Sequence, residues 1–361
     1  MLDTLLSHLR SVAPNDAPVS LLQPADPFLE TAGEDLRRRV FLSETADGAL
    51  KCLRPEFTIP VCLHHLQNGK GPARYACGGT VFRQARSGNT EFEQVGLEDL
   101  GNPDTVAADA ACLTDMVQTL GKAGIEDFSI TLGDREVFAV LVSILDLPDA
   151  IAERLNRNFG EPDALNSLIN GLTKANGDFG IDAEIKSLLN NEEALAAHIY
   201  QSMSEAGISS KSGRSPQDIA RRMIDKANEA NFVLDQSKAD ILLRFLTIEG
   251  SLNEAPAMLA NFAASESMDF GSTLDEFQRR ADAIAASDID LKTITYRASF
   301  GRKIDYYTGV LFEAHLNGQS EPIAGGGRYD RLCSLLGAPE AIPAVGFSIM
   351  LDRLDAERDV A

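Results

Sequence analysis

Basic side chains are scarce in this 361-residue chain: 33 lysines and arginines stand against 54 aspartates and glutamates, for a formal net charge of −21. That balance disfavours nucleic acid as a partner, because such binding rests largely on Lys and Arg neutralising phosphates. It suits an anionic membrane surface no better. Cysteines are few and scattered: Cys52, Cys62, Cys77, Cys112 and Cys333 are an odd number and contain no Cys-x-x-Cys pair. They read as small buried thiols in a reducing compartment, not as a disulfide frame or a metal knuckle. No apolar run approaches the roughly eighteen residues of a membrane span. The N-terminus lacks the basic-then-apolar layout of a secretion signal, so the expected location is cytoplasmic.

Other absences narrow the chemistry. The five histidines, His8, His64, His65, His198 and His315, show no metal-ligand spacing. His64 and His65 fall on an expected helix as a surface or core pair. Gly325-Gly326-Gly327 lacks the Lys-Ser/Thr ending of a phosphate loop and the dinucleotide spacing, and marks a close approach of backbones instead. No Ser/His/Asp or Cys/His arrangement stands out. These spacings propose no metal and no cofactor, and by themselves assign no catalytic residue.

What is present begins with length, which is enough for two or three domains and for burying roughly three quarters of the unfolded surface. Leu2, Leu5, Leu6 and Leu9 share one face of a short N-terminal helix over 2–10. A Pro- and Asp-rich loop follows from Pro14 to Pro27, and a helix is expected over Ile59 to Gln67. Two strand-like runs, 73–83 and 91–99, flank a Ser87-Gly88-Asn89 loop that suits a hairpin. Helix 104–121 and strand 126–132 come next, and Gly133-Asp134 opens another helix. From about 135 to 288 apolar residues recur at helical spacing and strands nearly vanish. Six to eight helices are expected there, with turns such as Asn176 to Asp182 and a helix start at Ser215-Pro216-Gln217-Asp218. Strands return at 292–297, 309–316, 321–325 and 341–349, with helices at 328–336 and 350–358. The fold class is α+β. Residues 1–133 and 290–361 form the core, and 134–289 a mainly helical intervening region.

Side chains two apart on a strand share a face, so Phe92, Gln94, Gly96 and Glu98 point one way. That face is either a polar pocket floor, with ligand space above Gly96, or part of a half-solvated strand. Arg83 ends the preceding strand and is either a clamp for a carboxylate or phosphate, or a surface charge. Tyr306 and Tyr307, between Gly301 and Gly309, are either pocket walls or packed side chains. Arg302 beside them is not explained by packing alone.

Together these runs resemble the core of a histidyl-tRNA synthetase, a class II enzyme built on an antiparallel sheet flanked by helices. Arg54-Pro55-Glu56 resembles the Arg-Pro-Glu-Gly-Thr element of that family, and Thr80-Val81-Phe82-Arg83 to Gly96-Leu97-Glu98 its second class motif. Arg302 to Tyr307 resembles its histidine-specific signature, and Gly326-Gly327-Arg328-Tyr329-Asp330 through Arg353 the stretch holding the third motif. The resemblance implies that Glu56, Thr58, Arg83, Gln94, Glu98, Arg302, Tyr306 and Tyr307 surround histidine. Glu98 and Gln94 would take the α-amino end, and Tyr307 with Arg302 the imidazole and carboxylate side. Arg83 and Arg353 fall where the family places its two ATP-phosphate arginines.

The departures are informative. Phe57 replaces a glycine, and the loop between Arg83 and Phe92 is short, keeps Arg86 and offers no arginine at its tip. Lys303 replaces a glycine of the signature, and Met350 and Asp352 replace Gly and Glu of the third motif. These changes weaken an ATP site more than a histidine site. Only eight residues follow Arg353, too few for an anticodon-reading domain. A synthetase-like chain with these features is similar to the regulatory-subunit family of ATP phosphoribosyltransferase, helical middle included, where Gly213-Arg214-Ser215 and Asp218 to Arg222 fit. That likeness implies a non-catalytic, activating subunit for the first step of histidine biosynthesis. It would form a self-dimer, join the short-form catalytic subunit in a hetero-oligomer, expected as a hetero-octamer, and mediate feedback by L-histidine. Two alternatives are a tRNA-independent enzyme that makes histidyl-adenylate and a stand-alone histidine sensor.

Overall fold

The long sheet draws its strands from both ends of the chain. In the computed structural model, which describes residues 1–69, 71–85, 89–174, 183–205, 215–287, 289–302 and 306–355, helix α1 (Leu2–Val12) comes first. Its Leu5 and Leu9 are fully buried, as the leucine spacing predicts. Then follow β1 (Asn15–Asp16), β2 (Leu22–Pro24), α2 (Asp26–Thr31), α3 (Gly33–Arg37), β3 (Leu42–Glu44), β4 (Leu50–Leu53) and α4 (Thr58–Asn68). The expected loop from Pro14 to Pro27 thus holds two short strands. Each depends on a distant partner: Asn15 pairs with Tyr75, and Leu22 with Leu53. Local periodicity carries no trace of such pairing.

The expected hairpin forms as β5 (Ala73–Phe82) and β6 (Glu91–Leu100), antiparallel over their whole length. Next come α5 (Thr105–Lys122), β7 (Phe128–Asp134) and α6 (Arg135–Ile144), then α7 (Asp149–Arg157), α8 (Pro162–Leu172), α9 (Ala183–Leu188), α10 (Glu192–Glu205), α11 (Pro216–Asn231) and α12 (Gln236–Leu246). After β8 (Glu249–Ser251), α13 (Ala255–Ser265) and α14 (Thr273–Ala285), the chain returns to strands. These are β9 (Ile294–Arg297), β10 (Val310–Leu316), β11 (Ala324–Arg328) and β12 (Ala344–Met350), with α15 (Leu332–Leu335) and α16 (Leu351–Asp355). The helical stretch therefore carries nine helices among the described residues, more than expected, and one short strand. Arg86, the loop tip Ser87-Gly88, the turn from Asn176 to Asp182, Gly213-Arg214, Lys303 and Asp305, and the end of the helix expected over 350–358 lie outside the described residues.

The main sheet has nine strands in the order β1-β5-β6-β12-β11-β10-β7-β9-β8, antiparallel except for β1 with β5 and β7 with β9. The fold is α+β, as expected. A small sheet β2-β4-β3 stands apart. Two compact units are distinguished. The first comprises Met1–Ile144, Phe159–Pro162 and Phe245–Ala361, and the second Leu145–Asn158 with Asp163–Arg244. Within the first, Arg280 of α14 bonds Asp109 of α5 and Asp134 of β7, each at 2.8 Å. Arg328 of β11 bonds the same Asp109 at 2.7 Å and Asp330 at 2.7 Å, so two buried cations meet three carboxylates. The second unit packs Leu195, Ala196 and Ala220 as its own core. Helix α11 in it opens as expected at Ser215, whose Oγ accepts from the Asp218 N–H at 3.1 Å and donates to the Asp218 carboxylate at 2.6 Å. No described helix is long and apolar enough to cross a membrane.

Candidate functional site

Strand β6 lies between β5 and β12, and from Gln94 to Leu100 it is buried on both faces. The half-solvated reading of this strand therefore fails. Register sets the neighbours: Gln94 sits between Gly79 and Met350, and Glu98 between Tyr75 and Gly346. Gly346 leaves the space that the Glu98 side chain fills, since a Cβ there would fall 1.8 Å from Glu98 Oε2. Gly96 lines the cavity and has a packing role as well. A Cβ at Gly96 would meet the Phe347 carbonyl at 2.2 Å, so this glycine serves the close approach of β12.

Glu98 is the electrostatic centre. Thr58 donates its hydroxyl to Oε1 at 2.6 Å, and Tyr329 donates its hydroxyl to Oε2. Its bonded partners are thus two neutral hydroxyls, and burial pushes the carboxyl up to about 8. Glu56 is placed alongside by the start of α4: it accepts the backbone N–H of Thr58 at 2.5 Å and of Ile59 at 3.0 Å. A carboxylate at a helix N-terminus meets otherwise unbonded N–H groups, which explains its position. Burial raises its pKa while those N–H groups oppose the shift.

Arg302, which lines the same cavity as Glu56 and Glu98, finds the partners that its sequence neighbourhood did not disclose. Its Nε donates to Glu313 Oε1 at 2.8 Å and its Nη1 to the Tyr307 hydroxyl at 2.6 Å. Gly325 keeps room for it, because a Cβ there would fall 2.9 Å from the guanidinium carbon. Glu313 in turn lies 3.4 Å from His315 Nε2. The rings of Tyr306, Tyr307 and Tyr329 form one wall, with centroids 5.1 Å and 5.6 Å from the Tyr306 ring. Burial pushes the Tyr307 hydroxyl up to about 12, so it remains a neutral donor and acceptor.

Two further arginines that line the cavity, Arg83 and Arg353, are partly engaged. Arg83 donates to the Pro55 carbonyl at 2.8 Å and lies 5.3 Å from the Phe92 ring centre. Burial lowers its guanidinium to about 10. Arg353 donates to the Pro322 carbonyl and pairs with Glu321 at 3.2 Å. Met350 is buried beside them and Phe57 lies under the Arg54 guanidinium at 4.5 Å.

Glu56, Thr58, Arg83, Gln94, Glu98, Arg302, Tyr306, Tyr307 and Arg353 all line one cavity of about 420 Å³. Sequence reasoning missed Glu313 and Tyr329, which line it too. Glu313 had a signal, as the one acid in the otherwise apolar run Val310 to Ala314. Tyr329 was within a quoted motif but had no local sign of facing Glu98. His65 is a core residue that bonds the Tyr75 hydroxyl at 3.0 Å, and all five cysteines are buried and free. Among the described residues no group of three or more His, Cys, Asp or Glu side chains is placed to hold a metal ion.

A family model described as histidyl-tRNA synthetase matches residues 17–198 and 217–354. An ATP phosphoribosyltransferase regulatory subunit of Allorhizobium ampelinum is 46% identical over 354 residues, 97% of this chain and 94% of its own length. One of Rhizobium meliloti is 46% identical over 94% of this chain and 91% of its own length. Among solved structures, an ATP phosphoribosyltransferase regulatory subunit/histidyl-tRNA synthetase from Bacillus halodurans aligns with a TM-score of 0.66 at 21% identity, covering 98% of this chain and 76% of the other. A histidyl-tRNA synthetase from Nostoc aligns at 0.64 and 18% identity, covering 98% of this chain and 70% of the other. At these identities the structural likeness bears on the fold alone, the class II synthetase core.

Proposed function

The chain belongs to the family of ATP phosphoribosyltransferase regulatory subunits, and from that premise we propose how it regulates. It is the regulatory, non-catalytic subunit of that enzyme of histidine biosynthesis. In our reading it pairs with itself and with the short-form catalytic subunit, in a hetero-octamer, and holds that partner in an active arrangement for the first step of the pathway. L-histidine enters the cavity of Glu56, Thr58, Arg83, Gln94, Glu98, Arg302, Tyr306 and Tyr307 and biases the assembly the other way. Arg83 and Arg353 are remnants of a nucleotide side. These residues come from stretches 1–133 and 290–361, which we assign as the histidine-binding core, with 134–289 as the intervening region. The site of action is the cytoplasm.

One observation carries this reading: a buried carboxyl, Glu98, bonded among the described residues to two hydroxyls, and a held arginine, Arg302, line the same cavity of about 420 Å³. An amino acid offers an ammonium group that would favour the ionised form of the first, a carboxylate for the second, and a size suited to the space. For feedback, histidine must bind the inactive arrangement more tightly, by about 1–3 kcal/mol of coupling. The test mixes the chain with the short-form catalytic subunit and follows ATP phosphoribosyl transfer with and without histidine. Stimulation by the chain, and inhibition by histidine that weakens at least tenfold with Tyr307→Phe, is expected. An unchanged rate with no complex on sizing contradicts the assembly, and unaltered inhibition in the variant moves the effector site elsewhere.

A further inference from the structure

Three arginines are buried among the described residues: Arg54, Arg280 and Arg328. The last two are each bonded to two carboxylates. Arg54 differs. Its Nε donates to the Thr80 carbonyl and its Nη1 to the Val19 carbonyl, each at 2.7 Å, and its guanidinium lies 4.5 Å from the Phe57 ring centre. Nη2 has no bonded partner among the described residues. Carbonyl dipoles and a ring face compensate a buried cation only in part. Burial accordingly draws this guanidinium below its usual range, with no carboxylate among the opposing causes. Gly79 keeps the free nitrogen unobstructed, since a Cβ there would fall 2.8 Å from Nη2.

Arg54 lines a second cavity, of about 360 Å³, between α1, the segment 16–19 and β5. Leu6 and Pro18 give it apolar walls, and Phe57 and Cys77 stand between it and the first cavity, lining both. Arg10 of α1 also lines it, and Arg10 Nε lies 3.5 Å from Asp16 with both side chains well exposed. An exposed pair of this kind is weak and exchanges partners at little cost.

We propose that this second cavity is a binding site for a small oxyanion, a phosphate or a carboxylate, held between Arg54 Nη2 and the Arg10 guanidinium. The anion supplies the charge that Arg54 lacks within the chain. The buried Arg54 would make the stronger charge-assisted bond, and the exposed Arg10 would turn to the anion from Asp16, which also lines the recess. The volume lies near the lower end of small-ligand sites, which favours a small metabolite over a nucleotide.

The full chain is titrated with inorganic phosphate and, separately, with acetate, at ionic strength held constant with chloride, while arginine N–H NMR signals are followed. Arg54→Ala is avoided as the test, because loss of its two carbonyl bonds threatens the fold. The exposed Arg10→Glu replaces it. Saturable movement of the Arg54 and Arg10 signals is expected, with Kd raised at least tenfold in Arg10→Glu. Saturation by phosphate alone assigns a phosphate ligand, by acetate alone a carboxylate, and by both a general oxyanion site. No saturable movement with either probe, or equal affinity in Arg10→Glu, overturns the proposal.

Discussion

At Glu98 the fold keeps a carboxyl 3% exposed, bonded to the hydroxyls of Thr58 and Tyr329. Burial raises its pKa from 4.5 in the unfolded chain to about 8. A raised folded value means that its contribution to stability is complete below about pH 4.5 and is lost as pH climbs towards 8. Each unit of such a difference is worth about 1.4 kcal/mol, so the effect is measurable even if much of it relaxes. Denaturant unfolding of the native chain and Glu98→Gln should give a difference that shifts in favour of the variant by about 1 kcal/mol or more between pH 5 and pH 9. A difference independent of pH contradicts a buried protonated carboxyl. The common face of Gln94 and Glu98 was legible from the two-residue period of a strand. Tyr329 was not, because 231 residues separate it from Glu98 and only the completed sheet brings them together.

Among the elements, β11 and β12 show how closely strands approach when side chains are removed. A Cβ at Gly326 would fall 2.2 Å from the Gly346 carbonyl, a backbone atom that cannot rotate away. Gly326→Ala is expected to cost about 3 kcal/mol, near the upper end of overpacking in cores. A loss under about 0.5 kcal/mol in denaturant unfolding would show that β12 slides freely. The triple glycine was readable as a close approach, and long elements such as α4, β5, β6 and α5 were readable from their periodicity. The short β1, β2 and β8 were not. They exist because of a partner far along the chain, as Glu249 with Arg297 shows, and two or three residues carry no period of their own.

At the scale of the whole molecule, the net charge of −21 leaves phosphate recognition to a few held arginines, and most of these are already occupied. Arg280 and Arg328 are bound up in the sheet, Arg302 with Glu313, and Arg353 with Glu321. The cavity around Glu98 is lined by Glu56, Glu98 and Glu313 together with Arg83, Arg302 and Arg353, and by the buried Met350. On the proposed reading, such a chain would regulate by binding one amino acid unequally in two assembly states. The most direct measurement is a calorimetric titration of L-histidine into the chain alone and into its complex with the short-form catalytic subunit. One saturable site per chain, with affinity differing between the two preparations and lowered at least tenfold by Tyr307→Phe, is the predicted result. Absence of histidine binding in both preparations would contradict the account.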